Sequence, residues 1–101
     1  AGTNPEQLIA LSWATCLNAT IEIALKRHGI KDVSSEVAIQ VDYRLNQKTS
    51  ITYFGFKVDI YIDLAQNKAD EIVYEAESRC PVSNIIGDYP HVEIVVHAND
   101  E

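Results

Sequence analysis

The sequence is poor in basic residues, contains no methionine and has only two cysteines among its 101 residues. Eight lysine and arginine residues stand against 15 acidic ones, and the basic residues form no cluster. Because phosphate binding requires a basic face, this charge balance disfavours a nucleic-acid partner. A glycine-rich phosphate loop, a lipidation motif and a secretory signal are also missing, so we expect a cytoplasmic protein.

The N-terminal end is unusual because helix-start residues follow Ala1 directly, without an initiator methionine. We therefore expect that the chain was processed or that a further N-terminal portion lies upstream. At this length we expect a single domain, residues 1–101, that hides roughly 60% of the extended chain's surface in one core.

One long helix is predicted from residue 3 to residue 29. Thr3 or Asn4 can cap it, Pro5 suits its first position, and Glu6 lies in the first turn, where the helix dipole favours a carboxylate. Gly29 suits the left-handed residue after its end. The middle of this helix is apolar on most sides, so we expect protein all around it. Polar residues interrupt it too often for a membrane span.

Alternating apolar residues predict strands at 37–45 and 54–64, and the short polar link between them favours an antiparallel hairpin. A second helix is expected to start at a cap formed by Asn67 and Asp70 and to bury one stripe of side chains. That stripe consists of Ala69, Ile72, Val73, Ala76 and Cys80. A last strand is predicted at 92–96. This order predicts an α+β fold, with a long buried central helix and a second helix packed on an antiparallel sheet.

Cys16 lies mid-way along the first predicted helix, and Cys80 lies near the end of the second. Each alone is most simply a small hydrophobic residue. The two helices must pack together in so small a domain, so the sulfurs can meet, and a disulfide would need Cα atoms about 5.5 Å apart. Without a secretory signal, such a pair favours a peroxidatic and a resolving cysteine over a structural disulfide. Pro81 leaves open whether Cys80 ends one helix or precedes another.

Glu6 is a further candidate, although an acid in the first helical turn needs no function to explain it. It precedes Cys16 by ten residues, about 15 Å along a straight helix. A joint role requires either a kinked helix or the Cys16 of another subunit. We prefer the second arrangement, which predicts a homodimer with active sites at its interface.

Other chemistries have weaker support. The three histidines, His28, His91 and His97, are scattered and match no zinc spacing with the cysteines, so we predict neither a metal nor a cofactor. A Cys–His hydrolase built on Cys16 remains an alternative, but nothing locates a histidine near that helix. Trp13, one turn before Cys16, is expected in the core or as the wall of a pocket above the sulfur.

Two motifs carry a family resemblance. The first is residues 2–8, GTNPEQL, with Cys16 ten residues after Glu6; the second is residues 79–84, RCPVSN, whose cysteine lies 64 positions after Cys16. Together they resemble the organic hydroperoxide resistance proteins and the related osmotically inducible (OsmC-like) proteins. The resemblance covers essentially the whole chain and implies an OsmC-like fold, an intertwined homodimer and a chain that lacks the family's N-terminal strands.

The resemblance also implies a thiol-dependent peroxidase acting in oxidative stress defence. In that scheme the Cys16 thiolate attacks an organic hydroperoxide and becomes a sulfenic acid. Cys80 then forms a disulfide with it, which a dithiol reductant, typically of the lipoyl type, reduces. Glu6 would hold an activating arginine that family members supply from a segment before the central helix.

The sequence departs from the family pattern at two places. The segment with the arginine is missing, and Arg27, Arg44 and Arg79 do not match it. Trp13 and Leu17 replace residues expected to be tyrosine and phenylalanine, so we expect these two to reshape the substrate pocket. The alternatives are a non-enzymatic binding or stress module, with inert or bridged thiols, and a redox sensor.

Overall fold

The computed structural model describes residues 4–99, so the predicted cap at Thr3 lies outside the described residues. The elements are α1 (Pro5–Arg27), β1 (Ser35–Asn46), β2 (Ile51–Ile62), α2 (Gln66–Arg79), α3 (Pro81–Ile86) and β3 (Val92–Ala98). The predicted α+β class is confirmed. The short helix α3 was not predicted, although the sequence left open that Pro81 begins a new turn.

Helix α1 begins and ends as predicted. Pro5 occupies its first turn, Asn4 has extended backbone at the N-cap without a side-chain capping bond, and His28 is the C-cap. Gly29 follows with a φ of +71°, which glycine adopts without the steric cost of a side chain. The chain can therefore leave the helix there and turn towards β1.

Only one face of α1 is buried, so the prediction of protein on all sides is wrong for this chain. The inward face carries Ala10, Trp13, Leu17, Ile21, Ala24 and Leu25. Leu11 and Ile23, on the outward face, are 64% and 55% exposed. The physical reason is that the other elements pack along a single stripe of the helix.

By length and composition alone, α1 is long and apolar enough to cross a membrane. This result goes against the expectation that its polar residues exclude a span. The core helix of a soluble protein meets the same criterion, and Leu17 and Ile21 of α1 are fully buried within the protein.

The three strands form one sheet in the order β1-β2-β3. β1 and β2 pair antiparallel, as predicted, with Ile39 opposite Val58. β3 pairs with β2 in parallel, with Val58 opposite Ile94, so the predicted fully antiparallel sheet is wrong. The reason is the connection: α2 and α3 carry the chain back along the sheet, and a strand that follows such a crossover runs parallel to its neighbour.

The core lies between the helices and one face of the sheet. Val58 and Ile60 of β2 are fully buried and face the helices, while the facing side chains of β1 at Val37 and Ile39 are half-buried. Every residue from 42 to 52 is exposed. The alternation in the first predicted strand places Tyr43 and Leu45 on its half-buried face with Val37 and Ile39. That prediction is wrong for Tyr43 and Leu45, because the end of the hairpin extends past the helical layer.

Helix α2 confirms the predicted buried stripe but not the predicted cap. Ala69, Ile72, Val73 and Ala76 are all buried. The N-cap is Ala65, without a side-chain capping bond, and α2 begins at Gln66. Asn67 lies inside the helix, where its side chain accepts a hydrogen bond from the neighbouring Lys68 backbone.

Candidate functional site

The packing of α1 against the α2–α3 junction brings the two cysteines together. The Sγ atoms of Cys16 and Cys80 are 3.3 Å apart, and both thiols are free. A disulfide bond is about 2.05 Å long, so the two sulfurs need to approach by only about 1.3 Å. This contact joins residues 64 positions apart in the sequence.

The two thiols differ in their access to solvent. Cys80 is 0% exposed, whereas Cys16 is half-buried and lies at the margin of the hydrophobic core. Cys16 is thus less enclosed than the sequence predicted. Cys16 is therefore the more accessible of the two residues.

Cys80 lies between two helices, as the C-cap of α2 and the N-cap of α3, with φ −77° and ψ 117°. Pro81 explains this geometry, because the residue before a proline avoids helical backbone. Proline itself suits the first position of a helix. The alternative in which Pro81 starts a new helical turn is therefore the one that the structure adopts.

The surroundings of Cys80 favour its thiolate. Burial raises the pKa of the Cys80 thiol, but interactions with the side chain and backbone of Ser83, with Cys16 and with the Val82 backbone outweigh it, so the pKa is lowered. The Cys80 side chain makes no capping hydrogen bond with α3. Cys80 therefore ionises more readily than an ordinary cysteine.

Ser83 is the residue of this site that the sequence did not single out. Its Oγ accepts a hydrogen bond of 2.8 Å from Nε1 of Trp13. The spacing of three residues from Cys80 would have pointed to it, because residues three apart share one face of a helix, but only once α3 is recognised. Trp13 thereby ties α1 to α3 next to the two sulfurs.

The two residues predicted to line a substrate pocket lie in the core. Trp13 is 2% exposed, and its ring meets Phe56 edge to face with the ring centroids 5.8 Å apart. Leu17, which follows Cys16 in the chain, is fully buried. Both stand close to Cys16 along α1, and their role towards a substrate stays a prediction.

Glu6 does not join the cysteines within this chain. It lies in the first turn of α1, which continues as one helix from Pro5 to Arg27. Ten residues of helix place it about 15 Å from Cys16 along the axis. Of the two arrangements that the sequence allowed, a helix broken between Glu6 and Cys16 is not seen.

The three arginines are placed differently. Arg44 pairs with Asp42 at 2.9 Å, and Arg27 lies 3.8 Å from Glu75. Arg79 is exposed, as expected. A cavity of about 280 Å³ lies between α1 and the α2–α3 junction, and Arg27 and Arg79 contribute to its lining. The lining residues are Thr20, Ile23, Ala24, Arg27, Glu75, Arg79 and Pro81.

The histidines are engaged with carboxylates and an aromatic ring. His28 lies 3.0 Å from Glu75, and His97 lies 2.9 Å from Asp59. The ring of His91 is 4.3 Å from that of Tyr53. Within residues 4–99, no group of three or more histidine, cysteine, aspartate or glutamate side chains is arranged to hold a metal ion.

Comparison with known proteins gives consistent matches. The family model described as OsmC-like protein matches residues 1–95. "Organic hydroperoxide resistance protein-like 1" of Staphylococcus saprophyticus is 29% identical over 84 residues, which cover 81% of this chain and 60% of the relative. Its namesake in Staphylococcus epidermidis is 33% identical over 85 residues, covering 80% of this chain and 59% of the relative.

Among solved structures, the organic hydroperoxide resistance protein OhrB of Bacillus subtilis has a TM-score of 0.79 at 29% identity. The match covers 97% of this chain and 71% of that one. The chain therefore spans about three fifths of the two curated relatives and somewhat more of the solved structure.

Proposed function

We propose that this chain, which belongs to the OsmC-like protein family, is a thiol-dependent peroxidase that reduces organic hydroperoxides to alcohols. The observation that carries the proposal is the 3.3 Å separation of the Cys16 and Cys80 sulfurs. The printed names of the relatives support the substrate class, since several are organic hydroperoxide resistance proteins or resemble them. Oxidative stress defence in the cytoplasm, by a single domain over residues 1–101, is part of the same proposal.

In the first step Cys16 is the attacking thiolate, which its partial exposure supports. Its sulfur attacks the terminal oxygen of the hydroperoxide, so an S–O bond forms and the O–O bond breaks. The alkoxide takes up a proton and leaves as the alcohol, and Cys16 becomes a sulfenic acid.

In the second step Cys80 resolves this sulfenic acid. Its thiolate attacks the sulfur of Cys16, so the S–S bond forms and the S–O bond breaks. The hydroxide leaves and is protonated to water. The short distance and the lowered pKa of Cys80 support this role, because the attacking species is the thiolate.

In the third step a dithiol, of the lipoyl type by the resemblance, reduces the disulfide. We infer that it attacks Cys16, the more exposed sulfur, and that Cys80 leaves as a thiolate. The second thiol of the reductant then displaces Cys16 and closes its own disulfide. Two electrons thus pass from the dithiol to the hydroperoxide.

The proposal includes a homodimer in which Glu6 of one subunit serves Cys16 of the other. The exposed apolar side chains of α1, among them Leu8, Leu11 and Ile23, support a covered face there, because large exposed apolar patches mark interaction sites. Glu6 is half-buried near the N-terminal end of that face. Its carboxylate would position an activating cation, since a thiolate in apolar surroundings requires one.

A preference for organic hydroperoxides over hydrogen peroxide follows from the apolar surroundings of Cys16. Trp13 and Leu17 flank it along α1 and, with rearrangement on binding, would wall the pocket. Each methylene of the substrate that is buried contributes about 0.8 kcal/mol to binding. The substrate therefore gains affinity with alkyl length, which hydrogen peroxide cannot.

Steady-state turnover tests the proposal. With dihydrolipoamide as reductant, we expect consumption of tert-butyl or cumene hydroperoxide to exceed that of hydrogen peroxide by tenfold or more, about 1.4 kcal/mol in the barrier. Cys16→Ser serves as the inactive control. Equal rates for the organic and inorganic peroxides would contradict the substrate assignment. Oxidation of the thiols without turnover on any dithiol would instead favour a redox sensor, and thiols inert to peroxide would favour a binding module.

A further inference from the structure

We propose that Trp13 is a positioning residue for the cysteine pair, because its hydrogen bond to Ser83 holds Cys80 within reach of Cys16. The bond runs from Nε1 of Trp13 to Oγ of Ser83 over 2.8 Å. The importance of this contact in turnover rests on the proposed function. Its effect on the two cysteines can be measured without any peroxide.

Two contacts join α1 to the start of α3. One is the contact between the sulfurs of Cys16 and Cys80, 3.3 Å apart, and the other is the bond between Trp13 and Ser83. Trp13 lies three residues before Cys16 on α1, and Ser83 lies three residues after Cys80, in the first turn of α3. Residues three apart share one face of a helix, so the two contacts lie side by side. A movement of α3 that separates Trp13 from Ser83 therefore also displaces Cys80.

Helix α3 is short and packs shallowly. It has six residues, none of them buried, and only Val82 and Ile86 pack in part against the core. Among residues 4–99, its bond to Trp13 is the only side-chain hydrogen bond that joins it to α1. Cys80, with non-helical backbone, connects α3 to α2. The orientation of α3, and with it the position of Cys80, thus depends strongly on the bond to Trp13.

Trp13 is the fixed partner in this bond. Its side chain is 2% exposed, and its ring meets Phe56 edge to face, so it cannot turn away without opening the core. An indole nitrogen only donates, so Ser83 must be the acceptor. A buried N–H group that loses its acceptor is costly. This cost favours the orientations of α3 that keep Ser83 in place.

The bond matters for the chemistry because the sulfurs must meet before they react. Reacting atoms in a productive arrangement are about 3–3.5 Å apart, and the observed 3.3 Å lies in that range. A misplacement of about 1 Å can slow such a step by about a hundredfold. In the disulfide the S–S bond itself holds α3, whereas in the dithiol only non-covalent contacts do. The hydrogen bond therefore raises the fraction of dithiol molecules in which the two sulfurs touch.

The test measures the equilibrium of the full chain with oxidised and reduced glutathione. Glutathione disulfide is reduced to two glutathione molecules while the two cysteines are oxidised to their disulfide, so the equilibrium constant reports how readily the sulfurs meet. Ser83→Ala removes the acceptor and should lower this constant about fivefold, the effect of one hydrogen bond. Ser83→Thr keeps the hydroxyl and should keep the parent's value. The matched control is Ser78→Ala, which deletes a hydroxyl that bonds within α2, to the Glu75 backbone, and should change nothing.

The donor is tested with an isosteric side chain, since a smaller ring would open the core. Benzothienylalanine in place of Trp13 has a sulfur where the indole has its N–H and keeps the bicyclic shape. We expect the same loss of about fivefold as in Ser83→Ala. Combining the two changes should cost no more than either alone, because both remove the same bond. Trp13 is the only tryptophan of the chain, so loss of indole fluorescence confirms the replacement.

A peroxide pulse ties the contact to the proposed reaction. In Ser83→Ala we expect disulfide formation from the sulfenic acid of Cys16 to slow by a similar factor. The first oxidation of Cys16, followed by dimedone trapping, should keep its rate. A merely structural role would lower the free energy of unfolding but leave the glutathione equilibrium of the folded chain unchanged.

The outcomes separate this proposal from the proposed function. The positioning role is wrong if Ser83→Ala or the Trp13 replacement keeps the parent's glutathione equilibrium, or if Ser83→Thr or Ser78→Ala shifts it as much as Ser83→Ala does. If the equilibrium shifts as expected while peroxide leaves both thiols unreacted, the peroxidase assignment fails and the role of Trp13 stands. Circular dichroism of each variant checks that the fold is kept.

Discussion

The middle of α1 and the junction of α2 with α3 each carry one cysteine. The two cysteines differ in their backbone conformation and in their burial. Cys16 lies inside a continuous helix and is half-buried. Cys80 has extended backbone between two helices, is fully buried and is flanked by Ser83. Cys16 is the more accessible of the two residues, whereas the surroundings of Cys80 lower its pKa although the residue is buried. Burial alone is thus a poor guide to the chemistry of the Cys80 thiol.

Removing each thiol in turn is the most stringent test of the difference between Cys16 and Cys80. Cys16→Ser should lower turnover of an organic hydroperoxide by at least about a thousandfold, because it removes the nucleophile itself. Cys80→Ser should still consume one equivalent and accumulate a sulfenic acid on Cys16. Both effects are read by peroxide consumption and mass spectrometry. The division of roles is wrong if Cys80→Ser blocks the first oxidation as strongly as Cys16→Ser does.

The contact between the sulfurs also depends on how tightly α1 is held. Leu17 is fully buried beside Cys16, so Leu17→Ala should lower the free energy of unfolding by about 3 kcal/mol through lost burial and a residual cavity. Leu45→Ala deletes the same atoms from an exposed position at the end of the hairpin and should cost less than about 0.5 kcal/mol. Urea unfolding measures both, and similar losses in the two variants would show that Leu17 is not a core residue.

The pH dependence of disulfide formation tests the properties of the Cys80 thiol further. Since the pKa of Cys80 is lowered, its thiolate fraction should reach one half at a lower pH than that of a free cysteine, whose pKa is about 8.5. Disulfide formation after a peroxide pulse should therefore increase with pH with a midpoint below that value, and fall about tenfold for each unit well below the Cys80 pKa. Stopped-flow thiol kinetics provide the measurement. A midpoint at or above about 8.5 would contradict a lowered pKa.

The smallest expected effect lies at the C-terminal end of α1, away from the chemistry. The hydrogen bond from His28 lowers the pKa of Glu75, so the ionised carboxylate stabilises the folded chain above the unfolded pKa, and this contribution is lost as pH falls through the folded pKa. Glu75→Gln should be slightly less stable than the parent at neutral pH and equal to it in strong acid. Thermal melts across that range test this, and a constant difference at all pH values would contradict it.

Much of this arrangement could be predicted from local patterns. The helical spacing that places Cys16 and Cys80 on inner faces is a property of a few turns, and so are the start at Pro5 and the end at Gly29. The hairpin follows from strict alternation and a short link. These features depend on neighbours in the sequence, which is why the periodicity is sufficient to find them.

The features that were missed depend on how the elements are placed in space. The direction of β3 is set by the helical crossover, and the exposure of Tyr43 is set by where the helical layer stops. The bond between Trp13 and Ser83 joins two helices 70 positions apart in sequence. No periodicity within one element encodes such a contact.

The most direct test of the central claim counts free thiols before and after one equivalent of an alkyl hydroperoxide, under conditions where both cysteines start reduced. We predict that both thiols disappear together and that peptide mapping finds a disulfide between Cys16 and Cys80 within one chain. Two thiols that survive the equivalent unchanged, or a disulfide found only between chains, would contradict it.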